Sequence, residues 1–198
     1  MQKGDRNLRT YQGAVAIVTG GASGIGRALA EELARRGCEV VLADLWQEAA
    51  DAVAAKIREQ GGKASARALD VADADAVDRV LQDTLERFGR LDYMFNNAGI
   101  VLNGRFEDFE LSHWRKIVDI NLMGVVHGTR SAHRHMSGQG FGHIVNTASF
   151  AGIFPWPMTA PYTASKHAVV GMSTALRAEL AGAGIRVSVL CPGTILTP

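Results

Sequence analysis

Short apolar segments alternate along the chain with longer segments in which apolar residues recur every three to four positions. The short segments are rich in β-branched residues, which is typical of buried strands, and the longer ones follow the helical period. The predicted strands are residues 14–19, 39–43, 63–69, 91–95, 143–147 and 185–190. The predicted helices are residues 24–36, 47–60, 72–88, 106–136 (in one part or in two) and 160–181.

This order of elements predicts the fold class. Strands that are apolar throughout and alternate with helices indicate crossover connections, and therefore a parallel sheet covered by helices on both faces. We predict an α/β fold with three α/β/α layers around a doubly wound, Rossmann-type sheet. Because the pattern contains no repeat, low-complexity segment or linker, residues 1–198 are expected to form a single domain.

Composition narrows the class of protein. Of the 198 residues, 47% are hydrophobic and 21% are charged, which is ordinary for a soluble globular protein. With 21 Lys and Arg against 20 Asp and Glu, no charge pattern points to nucleic acid or to a membrane surface. No secretory signal or membrane-spanning segment is recognisable, and Cys38 and Cys191 lie in apolar segments where buried free thiols are expected. We therefore expect a cytoplasmic protein.

A glycine-rich turn joins the first predicted strand to the first predicted helix. Residues 19–26 read TGGASGIG, in which Gly24 follows Gly20 by four positions and Gly26 follows Gly24 by two. Glycines at this junction let a pyrophosphate approach the backbone N–H groups at the start of the helix. The other interpretation is that these glycines serve only the geometry of the turn.

Asp44, at the end of the second predicted strand, favours the interpretation that the glycine turn binds a dinucleotide. A carboxylate in that position can accept hydrogen bonds from both ribose hydroxyls of an adenosine. It repels a 2′-phosphate, and the neighbouring Ser23 and Leu45 supply no cation to bind one. The sequence therefore predicts NAD rather than NADP as the cofactor.

Further motifs follow in chain order on the predicted elements. They are Thr19-Gly20-xxx-Gly24-Ile25-Gly26, Asp70-Val71, Asn96-Asn97-Ala98-Gly99, Asn121, Ser149, Tyr162-xxx-Lys166, and Pro192-Gly193 followed by Ile195 and Thr197. From residue 13 to residue 198 the chain resembles the short-chain dehydrogenases/reductases, in their ordinary rather than extended branch. The resemblance implies an oxidoreductase that transfers a hydride between NAD and a secondary alcohol or ketone.

The resemblance also implies which residues carry this function. The catalytic residues would be Asn121, Ser149, Tyr162 and Lys166, with Asn121 holding a water that links Lys166 to solvent. The cofactor contacts would be Gly20, Ser23, Gly24, Ile25, Gly26, Asp44, Leu45, Asp70, Val71, Asn97, Ala98, Gly99, Tyr162, Lys166, Pro192, Gly193, Ile195 and Thr197. Among these, Asp70 and Val71 would contact the adenine, and the segment from Pro192 would hold the nicotinamide carboxamide.

The catalytic residue types suit this chemistry. Tyr162 and Lys166 are four positions apart on one predicted helix, so they share a face. A nearby ammonium favours the phenolate form of a tyrosine, which makes Tyr162 a usable proton carrier. The hydroxyl of Ser149, at the end of the fifth strand, can hydrogen-bond the substrate oxygen. Taken singly, the same residues are consistent with a solvated helix face and a turn.

The residues near Tyr162 predict the kind of substrate. The substrate contacts are expected to be Ser149, Phe150, Trp156 and Tyr162, in an apolar setting that also includes Ile100, Ala151, Ile153 and Pro155. Without Arg or Lys there, the pocket favours a hydrophobic secondary alcohol or ketone over a small anionic acid. The histidines lack metal-ligand spacing, so no metal site is expected.

Two long predicted helices, 106–136 and 160–181, carry more apolar residues than a face packed on a sheet requires. Val169, Val170 and Met172 are examples on the second helix. Together with the resemblance, they predict a homodimer or homotetramer.

The sequence leaves open whether the chain is shortened, whether it is catalytically active, and whether it is a purely structural oligomer. The resemblance implies a substrate-covering lid and a last strand after Pro198, so we expect a shortened chain, or one that lacks a disordered tail. A catalytically inactive dinucleotide-binding scaffold or sensor is the alternative function. A purely structural oligomer is a third possibility, but it has no need of the glycine turn or Asp44.

Overall fold

Six parallel strands form one sheet in the computed structural model, which describes residues 7–195. The strands are β1 Val15–Thr19, β2 Glu39–Asp44, β3 Lys63–Ala68, β4 Tyr93–Asn96, β5 Gly142–Thr147 and β6 Ile185–Leu190. The α-helices are α1 Gly24–Arg35, α2 Gln47–Glu59, α3 Ala74–Phe88, α4 Leu111–Val118, α5 Gly124–Gln139 and α6 Ala160–Glu179. The strand order is β3-β2-β1-β4-β5-β6, which confirms the Rossmann-type α/β fold.

Both faces of the central strands are buried, which explains why those strands are apolar throughout. On β1, Ala16 and Val18 belong to a core cluster with residues of α1 and α2. The alternate side chains, Val15 and Ile17, belong to a second cluster with residues of α3 and α5. Each fully buried Val or Ile contributes about 1.5–3 kcal/mol through the hydrophobic effect, so the two layers together hold the sheet in place.

The edge strands depart from the predicted apolar pattern. β3 carries Lys63 and Arg67 and is only partly buried, and the Lys63 ammonium pairs with Glu39 of the neighbouring strand at 2.7 Å. At the other edge, Arg186 and Leu190 of β6 are exposed. Charged side chains on an edge strand discourage pairing with another chain.

The predicted helix 106–136 is interrupted, so the two-part form of that prediction is the better one. It consists of a single 3-10 turn at Phe106–Asp108, then α4, a π turn at Asp119–Met123, and α5. The first break lies at Phe109 and Glu110, whose extended backbones separate the 3-10 turn from α4.

Helix α3 begins at Ala74, two residues later than predicted. The Asp73 carboxylate accepts hydrogen bonds from Asp75 N and Ala76 N at 2.9 and 3.0 Å, and so caps the helix. A capping side chain satisfies backbone donors that have no partner within the helix, and this sets where the helix starts.

Strand β1 lies between β2 and β4, where the strand order reverses direction. In open α/β sheets, ligands bind at the carboxyl ends of the strands at this point. Gly20 follows β1 and Asn97 follows β4, and the Asn97 side-chain amide donates to Thr19 O at 3.1 Å. Within residues 7–195, every helix is too short or too polar to cross a bilayer.

Candidate active site

A cavity of about 860 Å³ lies at the carboxyl ends of the strands. It brings together most of the predicted residues: Gly20, Ser23, Gly24, Ile25, Asn97, Ala98, Gly99, Ser149, Phe150, Trp156, Tyr162, Lys166, Pro192, Gly193 and Ile195. These residues come from the loops after β1, β4, β5 and β6 and from α6, so the fold assembles one site from five separate stretches of chain.

Other predicted residues do not line this cavity. They are Gly26, Asp44, Leu45, Asp70, Val71 and Asn121, while Thr197 lies outside the described residues. Of the apolar residues expected near the substrate, Ile100 and Ala151 line the cavity, whereas Ile153 and Pro155 do not. The last two are exposed, because the chain turns outward between residues 152 and 158.

The glycine turn is held against the loop that follows β4. Gly20 has a φ of +63°, and a side chain there would approach the Ala98 backbone at 3.0 Å. The Thr19 hydroxyl accepts hydrogen bonds from Asn97 N and Ala98 N at 2.9 and 3.0 Å. Only a glycine combines this backbone conformation with so close an approach.

Gly26 does not line the cavity, but packing requires a glycine at this position. A Cβ on this residue would overlap the carbonyl oxygen of Gly20. The first turn of α1 therefore packs directly under the glycine turn.

Asp44 is buried and supports the same turn from the side of β2. Its carboxylate accepts hydrogen bonds from Ala22 N at 3.0 Å and from Trp46 N at 3.1 Å. Within residues 7–195 it has no ion-pair partner. Leu45, beside it, is 59% exposed. Asp44 thus joins the glycine turn to the start of α2.

Asp70 and Val71 lie between β3 and α3, away from the cavity lining. The exposed Asp70 carboxylate accepts a hydrogen bond from Ala72 N at 2.9 Å. Val71 is buried, and its carbonyl oxygen lies 2.9 Å from Nδ1 of His127 on α5.

Lys166 is a buried cation on the cavity wall. Its side chain is 3% exposed, and its ammonium donates a hydrogen bond to Thr147 O at 2.9 Å. Burial penalises the charged form and lowers the pKa of Lys166 to about 8. The ammonium also lies 5.6 Å from the centre of the Tyr162 ring. The spacing of four residues therefore brings the cation and the phenol together, as predicted.

Ser149 stands at the start of a short turn after β5. Its backbone is extended, and its hydroxyl oxygen accepts a hydrogen bond from Ala151 N at 3.1 Å. The hydroxyl proton stays available for another acceptor. The neighbouring Phe150 N–H donates to Pro192 O at 2.8 Å, which ties the loop after β5 to the loop after β6.

Asn121 lies in the π turn between α4 and α5 and is fully buried. Its side-chain oxygen accepts from Ile100 N at 2.8 Å, and its nitrogen donates to Ile100 O at 2.8 Å. The same nitrogen lies 3.3 Å from the Ser165 hydroxyl. Both ends of the amide are therefore engaged by the protein, and they hold the loop after β4 against α6.

The two cysteines differ from each other. Cys38 is buried, and burial raises the pKa of its thiol to about 11. Cys191, expected to be buried, is only half-buried in the loop that follows β6. Burial still raises the pKa of the Cys191 thiol.

Several lining residues were not predicted: Val101, Asn103, Thr147, Ala148, Thr159 and Thr194. Some could have been found from their position beside a motif, since Thr147 and Ala148 directly precede Ser149. Val101 and Asn103 follow the Asn-Asn-Ala-Gly segment but carry no pattern of their own. Among residues 7–195, no group of three or more His, Cys, Asp or Glu side chains could hold a metal ion.

Comparisons with known proteins identify the family. The family model described as short chain dehydrogenase matches residues 14–198. A 2,5-dichloro-2,5-cyclohexadiene-1,4-diol dehydrogenase, LinX, from Sphingobium indicum is 40% identical over 186 residues, 94% of this chain and 74% of that protein. A 3-oxoacyl-[acyl-carrier-protein] reductase from a Synechocystis species is 40% identical over 184 residues, 92% of this chain and 74% of that protein.

A crystal structure is similar over the same region. It is a short chain dehydrogenase/reductase from Burkholderia phymatum in complex with NAD, with a TM-score of 0.93 and 37% identity. The match covers 96% of this chain and 69% of that chain. The chain therefore belongs to the short-chain dehydrogenase family of oxidoreductases.

Proposed function

We propose that this protein interconverts a secondary alcohol and a ketone with NAD as the hydride carrier and Tyr162 as the acid/base. The observation that carries the proposal is the cavity itself, in which Ser149, Tyr162 and Lys166 face the same space as the glycine turn. A proton-transferring group and a dinucleotide site in one cavity are what such a reaction requires. We also propose that the chain acts as one NAD(P)-binding domain in the cytoplasm.

The residues at the glycine end of the cavity fit a dinucleotide. Gly20, Ser23 and Gly24 present backbone rather than bulky side chains at the start of α1, where N–H groups attract phosphate. Asn97, Ala98 and Gly99 would line the middle, and Pro192, Gly193 and Ile195 would flank the nicotinamide. The bound cofactor would supply hydride acceptance and donation.

The chain's own residues would handle the proton. Tyr162 would take the proton from the substrate hydroxyl in the oxidative direction and return it in the reductive direction. The free hydroxyl proton of Ser149 would hydrogen-bond the substrate oxygen and stabilise the charge that develops there. Lys166, held by Thr147 O, would keep a positive charge beside the Tyr162 ring.

Asn121 would act mainly as a positioning residue. Since both its side-chain oxygen and its side-chain nitrogen are engaged by the protein, a relay water would bind the backbone carbonyl of Asn121. Its side chain would keep Ile100 and the neighbouring cavity wall in place.

An uncharged substrate fits the far end of the cavity best. Phe150 and Trp156 supply aromatic surface there, and the phenyl rings of Phe150 and Phe154 stack at a distance of 5.1 Å. The only charged residue in the lining of the described chain is Lys166, which is buried. These features favour a cyclic alcohol or ketone, as in the name of the Sphingobium relative, over an anionic acyl carrier.

Turnover measured with a panel of alcohols and ketones tests the proposed function. NADH has an absorbance band that NAD lacks, so oxidation of cyclic secondary alcohols should increase that absorbance. An inactive scaffold or sensor, the alternative, would bind NAD and produce no change with any member of the panel in either direction.

NAD is expected to bind more tightly than NADP. The Asp44 carboxylate, which has no ion-pair partner in the described part of the chain, would repel a 2′-phosphate. Titrations followed by tryptophan fluorescence measure both affinities. In the variant Asp44→Asn/Leu45→Arg, the first change removes the negative charge at nearly constant side-chain size and the second adds a cation. The preference should shift toward NADP by about tenfold or more, because repulsion of the 2′-phosphate is replaced by attraction. Leu45→Arg alone is the control for the added cation. Equal or tighter binding of NADP by the wild type would contradict the proposal.

We propose a homodimer or homotetramer, but Val169, Val170 and Met172 do not form its interface. Val169 is fully buried against Val125 and Ala148, and Val170 and Met172 pack on the same cluster. The outer face of α6 instead exposes small residues: Ala164, Gly171, Ala175 and Ala178. Such a face lets a second helix approach closely.

Light scattering at micromolar concentration is expected to give the mass of a dimer or tetramer. Ala175→Arg adds a bulky charge to the exposed face of α6 and should shift the distribution toward monomer. Ala52→Arg, on the exposed face of α2, should leave the mass unchanged. A wild-type protein that is monomeric throughout this concentration range would refute the proposal.

A further inference from the structure

The cavity lining includes a side-chain amide that the proposed reaction does not use. Asn103, in the loop between β4 and α4, lines the cavity and is exposed. Within residues 7–195 its side chain makes no hydrogen bond, ion pair or ring contact. Its carbonyl oxygen and its amide N–H groups are therefore free to meet a ligand.

The side chain of Thr159, which also lines the cavity, is already committed. The Thr159 hydroxyl lies 2.9 Å from Trp156 O, to which it donates, and 3.0 Å from the Thr163 hydroxyl. Ser149 and Tyr162 are assigned to the oxygen that reacts. Asn103 is thus a polar group of this region for which the proposed chemistry has no use.

The loop that carries Asn103 is tied to the exposed segment between β5 and α6. Gly104 N donates a hydrogen bond to Met158 O at 2.9 Å. Met158 has a φ of +65°, a conformation that a side chain as large as methionine rarely adopts. Such a conformation persists only where surrounding contacts determine it, so the junction holds Asn103 at the cavity rim.

We propose that Asn103 binds a second, uncharged oxygen of the substrate, which makes the substrate a cyclic diol, hydroxyketone or diketone. This inference rests on the proposed function of the site. An amide both donates and accepts hydrogen bonds, so it can receive either a hydroxyl or a carbonyl group. The aromatic surfaces of Phe150 and Trp156 would cover the apolar ring between the two oxygens.

The test compares cyclohexane-1,4-diol with cyclohexanol, which differ only in the second oxygen. The wild type should show the higher kcat/KM for the diol. Asn103→Leu should lower kcat/KM for the diol by about 3- to 10-fold, the value of one neutral hydrogen bond, and leave cyclohexanol nearly unchanged. Val101→Ala, which alters an apolar part of the same wall, should affect both alcohols to the same extent.

Asn103→Asp separates recognition from loop structure. A carboxylate accepts hydrogen bonds but does not donate them, so this variant should retain oxidation of the diol. It should lose efficiency in the reduction of cyclohexane-1,4-dione, whose far carbonyl needs a donor. A merely structural change in the loop would lower the rates with diol and dione together.

Two results would overturn the inference while leaving the proposed function intact. They are turnover of cyclohexanol by the wild type without preference for the diol, and a diol-to-cyclohexanol ratio that Asn103→Leu leaves unchanged. If the wild type binds NAD but transforms no alcohol or ketone, the proposed function fails and this inference fails with it.

Discussion

Replacing Tyr162 with Phe is expected to lower turnover by about 10²- to 10⁴-fold, the contribution of a general acid/base group. The variant keeps the aromatic ring beside the Lys166 ammonium and removes only the hydroxyl that exchanges a proton with the substrate oxygen. Affinity for NAD should change little. Single-turnover measurements with saturating NAD separate the chemical step from binding.

Tyr93→Phe is the matched control for this experiment. The Tyr93 hydroxyl lies near the opposite end of β4, where it donates to Arg9 O and Thr10 O. Its loss should reduce stability modestly and leave turnover unchanged. If Tyr162→Phe retains most of the wild-type rate, the assignment of the acid/base is wrong.

Replacing Lys166 with Met is expected to abolish most turnover, weaken NAD binding and change the pH dependence of stability. Its pKa is lowered from 10.5 to about 8, so the unfolded chain binds more protons than the folded one between these values. The cost of burying the charge is fully present below pH 8 and disappears as the pH rises toward 10.5. By linkage, this cost is on the order of 3 kcal/mol at pH 7.

The unfolding free energy of Lys166→Met minus that of the wild type should therefore decrease by about 2–3 kcal/mol between pH 7 and pH 10, because only the wild type gains stability over this range. Loss of the hydrogen bond to Thr147 O lowers the stability of the variant at every pH and leaves this trend unchanged. Urea titrations at both pH values measure it. Lys56→Met, on the exposed face of α2, should show no such trend. A pH-independent difference for Lys166→Met would contradict the burial of a charged lysine.

Both experiments depend on features that local sequence could predict. Tyr162 and Lys166 share a helix face because residues four apart on a helix always do. The apolar pattern of β1 predicts a strand buried on both faces, and the structure divides its alternate side chains between two core clusters. Most other motifs are equally local, because the glycine turn, residues 96–99, Ser149 and residues 192–193 lie where strands of a parallel sheet end. Short-range rules therefore suffice for the order of elements and the fold class, whereas most of the residues in the cavity were implied by the resemblance to the short-chain dehydrogenases/reductases.

Contacts between distant parts of the chain determine the role of the Asn121 side chain and the burial of Lys166. Asn121 is engaged by Ile100, 21 residues earlier, and by Ser165, 44 residues later, so its side chain is used structurally. No local pattern predicts the π turn that carries it. The burial of Lys166 depends on Thr147 and the surrounding walls, and that burial is what shifts its pKa.

Asn103 shows the same difference between features that depend on local sequence and features that depend on distant contacts. Local sequence predicts that this loop follows β4 and lies at the ligand-binding edge of the sheet. The fold brings the loop to Met158, commits Thr159 to Trp156 and Thr163, and leaves the Asn103 side chain without a partner among residues 7–195. Backbone period and helix-face geometry depend on neighbouring residues, whereas burial, pKa and unused hydrogen-bonding groups depend on what the folded chain brings next to them.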